Sequence, residues 1–294
     1  MSVALVTAAE ARPLDDDLPP LVEALARRDI AHAVIDWDDP GADWAAHDLV
    51  VVRSPWDYTR RHAEFLEWSE RVARATALAN PPHLLRWSAD KHYLRDLGAA
   101  GVPVVPTAFA GPGEAMDWPG DGEIVVKPTI SAGSLDTGRH LPGARAEAEA
   151  HVARLHADGR VAMAQPYLSR VEGERGETAL VFIDGAFSHA ARKGPMLVPG
   201  LSVVGGLFVE EDIRPSTPTP GEMEVAEAAL AAIPGGSAPL YARVDLVPDD
   251  AGRPVVLELE LVEPSLFLVH GAGAADRLVD AIAARITTGS SAPG

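Results

Sequence analysis

Four ionisable residues near the C-terminal end have the types and spacing of a divalent-cation site. Asp245 lies in the apolar run YARVDLV two residues after Arg243, and Glu258 and Glu260 lie in VVLELEL, with a short turn between the runs. Residues two apart on a strand share a face, so the two glutamates project together and Asp245 meets them from the neighbouring strand. Three carboxylates on one face repel one another unless protons or cations intervene. The chain has no Cys, and its ten His show no HxH or HExxH spacing. Hard oxygen donors of this kind suit Mg²⁺ or Mn²⁺ rather than zinc. The pattern alone fits a solvated sheet face equally well, because Leu257, Leu259 and Leu261 alternate with the glutamates.

A second group is cationic. The chain keeps three Lys (Lys91, Lys127, Lys193) against 22 Arg. Lys127 ends the β-run GEIVVKP and precedes TISAGSLDTG (129–138), a loop of small residues containing Ser131, Gly133 and Ser134. Such a loop lets backbone N–H groups approach phosphate oxygens, and the ammonium adds a point charge. It is not a Walker A loop: no GxxxxGK[ST] occurs, and the Lys precedes the loop. A third group, RSPWDY (53–58), sets Arg53 and Asp57 around Trp56 and Tyr58. Arg53 suits an α-carboxylate and Asp57 an α-ammonium, whereas an Arg–Asp pair stiffening a loop is the competing reading.

These groups need a scaffold. Over 1–75, apolar runs (3–7, 31–36, 48–54) alternate with amphipathic stretches (18–28, 62–75), the pattern of βαβ units on a parallel sheet. Ligands bind such sheets beyond the carboxyl ends of the strands, which nominates the loop after Thr7 and RSPWDY. Asp15, Asp16 and Asp17 are expected to cap the following helix. Pro81-Pro82 marks a junction, 111–122 is a loop and a polar helix covers 144–156. The later runs VAMAQPY, ETALVFIDGAFSHAARK, LSVVGGLFVEE and APLYARVDLVPDDAGRPVVLELELVE read as antiparallel, with turns at Asp184-Gly185 and 249–252. A helix over 274–286 and a frayed tail TTGSSAPG close the chain. The scattered Trp residues are expected to serve in packing rather than stacking on a ligand. The fold class is therefore α/β plus α+β.

The 294 residues are 47% hydrophobic and 23% charged, as in ordinary globular proteins. A net charge of −18 disfavours nucleic acid and anionic membranes as partners. The absence of Cys excludes disulfides, thiolate metal sites and a cysteine nucleophile. No apolar run approaches the length of a membrane span, and a cytoplasmic location is expected.

The order Lys91, Lys127 with its small-residue loop, AQPYL (164–168), then RVD and LELE on a hairpin resembles the ATP-grasp carboxylate–amine ligases from about Leu85 to Leu268. The resemblance implies a parallel N-terminal domain (1–82), connecting helices and linker (83–118), and two α+β subdomains (119–168 and 169–288) clamping ATP, ahead of a flexible tail (289–294). It implies that Lys91 and Lys127 hold the α- and β-phosphates while the 129–138 loop closes over the γ-phosphate. Gln165 would face the adenine amino group, the backbone at Tyr167 and Leu168 would read the ring edge, and Glu172 or Glu174 would take the ribose hydroxyls. Asp245, Glu258 and Glu260 would bridge two Mg²⁺, Arg243 would stabilise a developing oxyanion, and Arg192 and Lys193 would face the γ-phosphate or acyl phosphate. Many members have Glu-x-Asn and then Pro-Gly where this chain has Glu258-Leu259-Glu260 and EPSLF, so the substrate wall differs. Within the superfamily, RSPWDY, RKGP (192–195) and LELELVEPSLFL look most like the cyclo-ligases of cycloserine biosynthesis, which close O-ureido-serine into an isoxazolidinone. The rival readings are an intermolecular ligase of the dipeptide or glutathione-synthetase kind, a phosphotransferase and a non-catalytic nucleotide-binding module.

Overall fold

A computed structural model describes residues 1–173, 175–195, 197, 212–236 and 238–289. The first layer is a parallel sheet of β1 (Ser2–Thr7), β2 (Ala31–Asp36), β3 (Leu49–Ser54) and β4 (Ala77–Ala79) in the order β2-β1-β3-β4. Its central strands, β1 and β3, are buried almost throughout, which is why they read as unbroken apolar runs. Helices α1 (Leu18–Arg27) and α2 (His62–Ala75) pack on this sheet. Trp37 and Trp68 are 2% exposed and meet Phe65 by ring contacts, so they serve the core.

Pro82 opens α3 (Pro82–Ala89), where a missing N–H costs nothing, and α4 (Tyr93–Ala99) follows. An antiparallel sheet comes next: β5 (Ala108–Ala110), β6 (Ile124–Pro128), β7 (Gly138–His140) and β8 (Ala162–Pro166), in the order β5-β8-β6-β7. Helix α5 (Arg145–Ala157) covers it through Ala148, Val152 and Leu155.

The largest sheet holds β9 (Glu177–Ile183), β10 (Ala186–Lys193), β11 (Ile213–Ser216), β12 (Tyr241–Pro248) and β13 (Pro254–Glu260), ordered β11-β10-β9-β12-β13. Asp184 and Gly185 both have positive φ, the backbone of a tight turn between β9 and β10. Helix α6 (Pro220–Ala231) packs on this sheet through Val225, Ala226 and Ala229, and α7 (Ala274–Gly289) joins α1 in a core shared with the first sheet. The described helices include none long and apolar enough to cross a membrane.

Several elements differ from the sequence reading, the short strands β5, β7 and β11 among them. Strand β4 was too short to carry a periodic signal. Helix α6 was missed although Thr219-Pro220-Gly221-Glu222 forms a capping box with Pro in the first turn. Helix α7 runs on to Gly289, with the Thr287 and Thr288 hydroxyls donating to Ala284 carbonyl oxygen. The expected strand over 201–211 and the tail from 290 lie outside the described residues. Asp17, read as a helix cap, makes no cap bond and is used elsewhere.

The edge strand β13 carries two of the candidate glutamates, so its unpaired side matters. Tyr93 hydroxyl accepts from Leu259 N at 2.9 Å; Ser88 hydroxyl accepts from Leu261 N at 3.0 Å and donates to Leu259 O at 3.2 Å. Hydroxyls from α3 and α4 thus cover this edge at Leu259 and Leu261, while Val256 pairs with the backbone of Pro103 and Val105. Asn80 ties the first sheet to the largest by donating to Tyr241 O and Leu261 O while accepting from Leu240 N.

Candidate active site

The hairpin register settles where the acids meet. Arg243 pairs with Glu260 and Asp245 with Glu258 across β12 and β13. One oxygen from each of Asp245, Glu258 and Glu260 lies within 4.8 Å of the others, a set able to hold a cation. Lys127, at the end of β6 in the other antiparallel sheet, donates to Glu258 Oε1 at 2.5 Å. Lys193 lies 2.7 Å from Glu177 and 3.3 Å from Asp245. Arg243 spans Asp245 at 2.9 Å and Glu260 at 2.5 Å and donates to Ser265 O at 2.9 Å.

A cavity opens between the two antiparallel sheets. Lys91, Lys127, Lys193, Arg243, Glu177, Glu258, Glu260 and Glu263 supply its charge, and Val105, Leu168, Val171 and Leu257 an apolar stretch. Lys91 holds the small-residue loop twice: its backbone N–H donates to Thr129 O, and its ammonium to Ser131 O at 3.0 Å and to Ser131 Oγ at 3.3 Å. Ser131, Gly133 and Ser134 all line the cavity. Gly133 and the next residue, Ser134, both have φ near +60°, which turns the loop back on itself.

Burial and neighbouring charge divide the acids. Burial works to raise Glu258, yet Lys127 and Lys91 hold it well below the usual carboxylate range. Asp245 is likewise lowered, the penalty of burial being overcome by Arg243 and Lys193. Glu260 is pushed up to about 7 by burial, with Asp245 and Glu258 adding repulsion against the pull of Arg243. Two ionised carboxylates beside a third that resists ionisation make a site short of positive charge, and all three donors are hard oxygens. That combination fits Mg²⁺.

Several candidates line the cavity, and others do not. Gln165 is 2% exposed, lines the cavity and donates to Thr107 Oγ1 at 2.9 Å. Tyr167 and Leu168 line the cavity beside it. Glu172 is exposed and does not line the cavity; it accepts from Arg139 and from Tyr167 hydroxyl, which leaves it poorly placed for a ribose. Glu174 lies outside the described residues. Arg192 points away from the acids and donates to Thr178 Oγ1 at 2.6 Å and to Ser216 Oγ at 3.4 Å, because neighbours along a strand face opposite ways and Lys193 takes the site face.

RSPWDY is divided in the same way. Trp56 and Tyr58 line the cavity, but Arg53 and Asp57 do not. Arg53 is 1% exposed and donates to Asp17 Oδ2 at 3.4 Å and Pro264 O at 3.1 Å. Asp57 accepts from Trp37 Nε1 at 2.9 Å. The competing reading of an Arg and an Asp that stiffen a loop therefore holds, although each uses a different partner. Asp17 accepts from Leu266 N at 2.5 Å and Leu268 N at 2.7 Å, so it anchors the segment after β13 instead of capping α1.

Two cavity acids were missed from the sequence. Glu177 faces Lys193 across β9 and β10 only because a bulge between Phe187 and His189 shifts the register by one. Glu263 stands three residues beyond Glu260, out of strand alternation. It is 8% exposed, Tyr58 hydroxyl donates to it, and burial together with Glu260 pushes it up to about 8. A carboxyl raised in the folded state contributes fully below its unfolded pKa, near 4.3, and that contribution is lost as pH rises through about 8. Glu263→Gln should therefore gain about 1–3 kcal/mol on the parent between pH 5 and pH 9. Urea denaturation in nucleotide-free, metal-free buffer measures this, and parallel pH profiles would refute it.

Comparison with known proteins agrees with this geometry. Residues 3–80 match the family model of the D-cycloserine synthetase DcsG N-terminal domain. The cycloserine biosynthesis protein DcsG of Streptomyces lavendulae is 43% identical over 299 residues, spanning 97% of this chain and 98% of that protein. The crystal structure of D-cycloserine synthetase DcsG superposes with a TM-score of 0.88 at 42% identity, over 97% of this chain and 100% of its own. The fold is shared more widely. D-alanine–D-alanine ligase from Bacillus anthracis, complexed with ATP, gives a TM-score of 0.69 at 13% identity over 98% of both chains. The ATP-grasp ligase PsnB, complexed with a precursor variant, Mg and ADP, gives 0.61 at 17% identity over 97% of this chain and 98% of its own. With near-full-length identity above 40% and an ATP-grasp fold around the cavity, the chain belongs to the D-cycloserine synthetase DcsG family of ATP-grasp ligases.

Proposed function

We propose that the protein closes an O-ureido-D-serine-type substrate into the isoxazolidinone ring of cycloserine, using ATP. The observation that carries this reading is the convergence of three Lys, one Arg, Glu258 and Glu260 on one cavity, with Asp245 close enough to both glutamates to share a cation, within a family that includes D-cycloserine synthetase DcsG. A carboxylate is a poor electrophile. Its oxygen attacks the γ-phosphorus of ATP, ADP leaves and an acyl phosphate remains. The ureido nitrogen bonded to oxygen then attacks the acyl carbon, the C–O bond to phosphate breaks, and phosphate departs as the ring closes. The nitrogen loses its proton, and hydrolysis removes the carbamoyl group as carbon dioxide and ammonia.

Each step asks for positioning and cations rather than a protein nucleophile. Lys91 and Lys127 hold phosphates, Gln165 and the Tyr167–Leu168 backbone receive the adenine, and Lys193, oriented by Glu177, faces the transferred phosphoryl. Arg243 stabilises the oxyanion formed when nitrogen adds to the acyl carbon. Asp245, Glu258 and Glu260 would hold two Mg²⁺, replaceable by Mn²⁺, which supply Lewis-acid stabilisation of phosphoryl charge. Holding nucleophile and electrophile in one molecule supplies the proximity that a second bound amine would otherwise provide.

The test is to incubate the protein with ATP, Mg²⁺ and O-ureido-D-serine, following ADP and product mass. ADP release with a cyclised product and no added amine is expected. A need for a second amine would replace this reading with an intermolecular ligase, and a stable phosphorylated product with a phosphotransferase. ATP binding without substrate-stimulated ADP release would leave a binding module.

A further inference from the structure

The ligase reading leaves one cavity group without work. Glu263 lines the cavity beside Glu260, Arg243, Ser265 and Trp56, yet forms no ion pair among the described residues. The charged groups acting on it are committed elsewhere: Lys91 donates to Ser131, and Arg243 to Asp245, Glu260 and Ser265 O. Its polar partner is the Tyr58 hydroxyl. Its backbone is fixed as well: Glu263 O accepts from Trp56 Nε1 at 3.2 Å, and Arg53 holds the next carbonyl. A nine-tenths-buried carboxyl with no cation is costly, and a ligand carrying positive charge would remove that cost.

We propose that Glu263, backed by Tyr58, is the seat of the substrate's α-ammonium group and selects amino acids over simple carboxylic acids; this rests on the ligase reading above. In an α-amino acid the carboxylate and ammonium are one carbon apart, so a matching site must offer a cation and an anion side by side. Arg243 and Glu263 line the same cavity, and Arg243 donates to Ser265 O, two residues beyond Glu263. The other cavity acids are already matched, Glu258 with Lys127, Glu177 with Lys193 and Glu260 with Arg243, as is Asp245 behind them with Arg243. The α-ammonium is a spectator in ring closure, which makes Glu263 a specificity-determining residue rather than an acid or base.

The experiment compares O-ureido-D-serine with its desamino analogue, 3-(ureidooxy)propanoate, by ADP release in the parent, Glu263→Gln and Tyr58→Phe. The parent should favour the amino acid by about 100-fold in kcat/KM, the scale of a buried charge pair losing one partner. Glu263→Gln should cut that preference to below tenfold, through substrate KM, with the KM for ATP unchanged. Glu263→Asp should restore part of it, and Tyr58→Phe should reduce it less. A preference unchanged in Glu263→Gln overturns the assignment while leaving the ligase reading in place. No ADP release by the parent with O-ureido-D-serine overturns the substrate reading and this assignment with it.

Discussion

Lys127→Met should abolish ADP release, lowering kcat/KM on the order of 10³-fold, with a smaller loss of stability. Lys127 and Glu258 are 9% and 20% exposed at their side chains and 2.5 Å apart, so each is the other's main counter-charge. In the proposed function the ammonium also holds phosphate and the carboxylate a cation. Phosphoryl transfer depends on fixed charge where negative charge spreads, and Met preserves the length of the side chain while removing the charge. Glu258, deprived of Lys127, would take up a proton more readily. A second measurement separates the two effects. Lys127→Met/Glu258→Gln should be more stable than Lys127→Met, because losing both charges costs less than orphaning one, yet stay inactive. Stopped-flow or coupled ADP assays and thermal melts read both quantities. A Lys127→Met protein within tenfold of the parent would remove Lys127 from the phosphate site.

Asp17→Ala should be the most destabilising single change at the junction of the sheets, by about 3–5 kcal/mol. Asp17 is 2% exposed, and its oxygens accept two backbone amides, Leu266 N and Leu268 N, and face Arg53. The Nε and Nη1 of Arg53 have no partner among the described residues, so loss of Asp17 would leave a buried guanidinium held mainly by Pro264 O. The substitution thus orphans two donors and one charge together. Chemical denaturation gives the magnitude, and Asp17→Ala/Arg53→Met should recover part of it. Activity should fall as well, through a raised substrate KM, because the freed segment carries Glu263 and Ser265. Full stability in Asp17→Ala would contradict the anchoring role.

The alternation of apolar and polar residues was enough to lay out most elements of the fold, because period two and period 3.6 are local properties of the chain. Thus β1, β2, β3, α1, α2, α5, β12 and β13 fall within a residue or two of where their patterns put them. Short or amphipathically weak pieces escaped: β4 is three residues long, and α6 had only its capping box to announce it.

The site divides along the same line. Glu258 and Glu260 share a face because they are two apart, which is countable from the chain, but Asp245 lies opposite Glu258 only because the register shifts by one between Asp245 and Leu246. The order of Lys91, Lys127, AQPYL, RVD and LELE, equally countable, identified the superfamily. Contacts across sheets were not countable. Whether Arg53 meets a substrate or Asp17 depends on how the segment after β13 folds back over the first sheet, 211 residues away in sequence from Arg53 to Pro264. A single bulge decides that Glu177 meets Lys193. Glu263 lies past the last paired residue of β13, where side-chain direction no longer alternates. Local spacing dictated which residues could do the chemistry; burial and long-range packing, which no local pattern encodes, decided which of them face the cavity and which hold its walls.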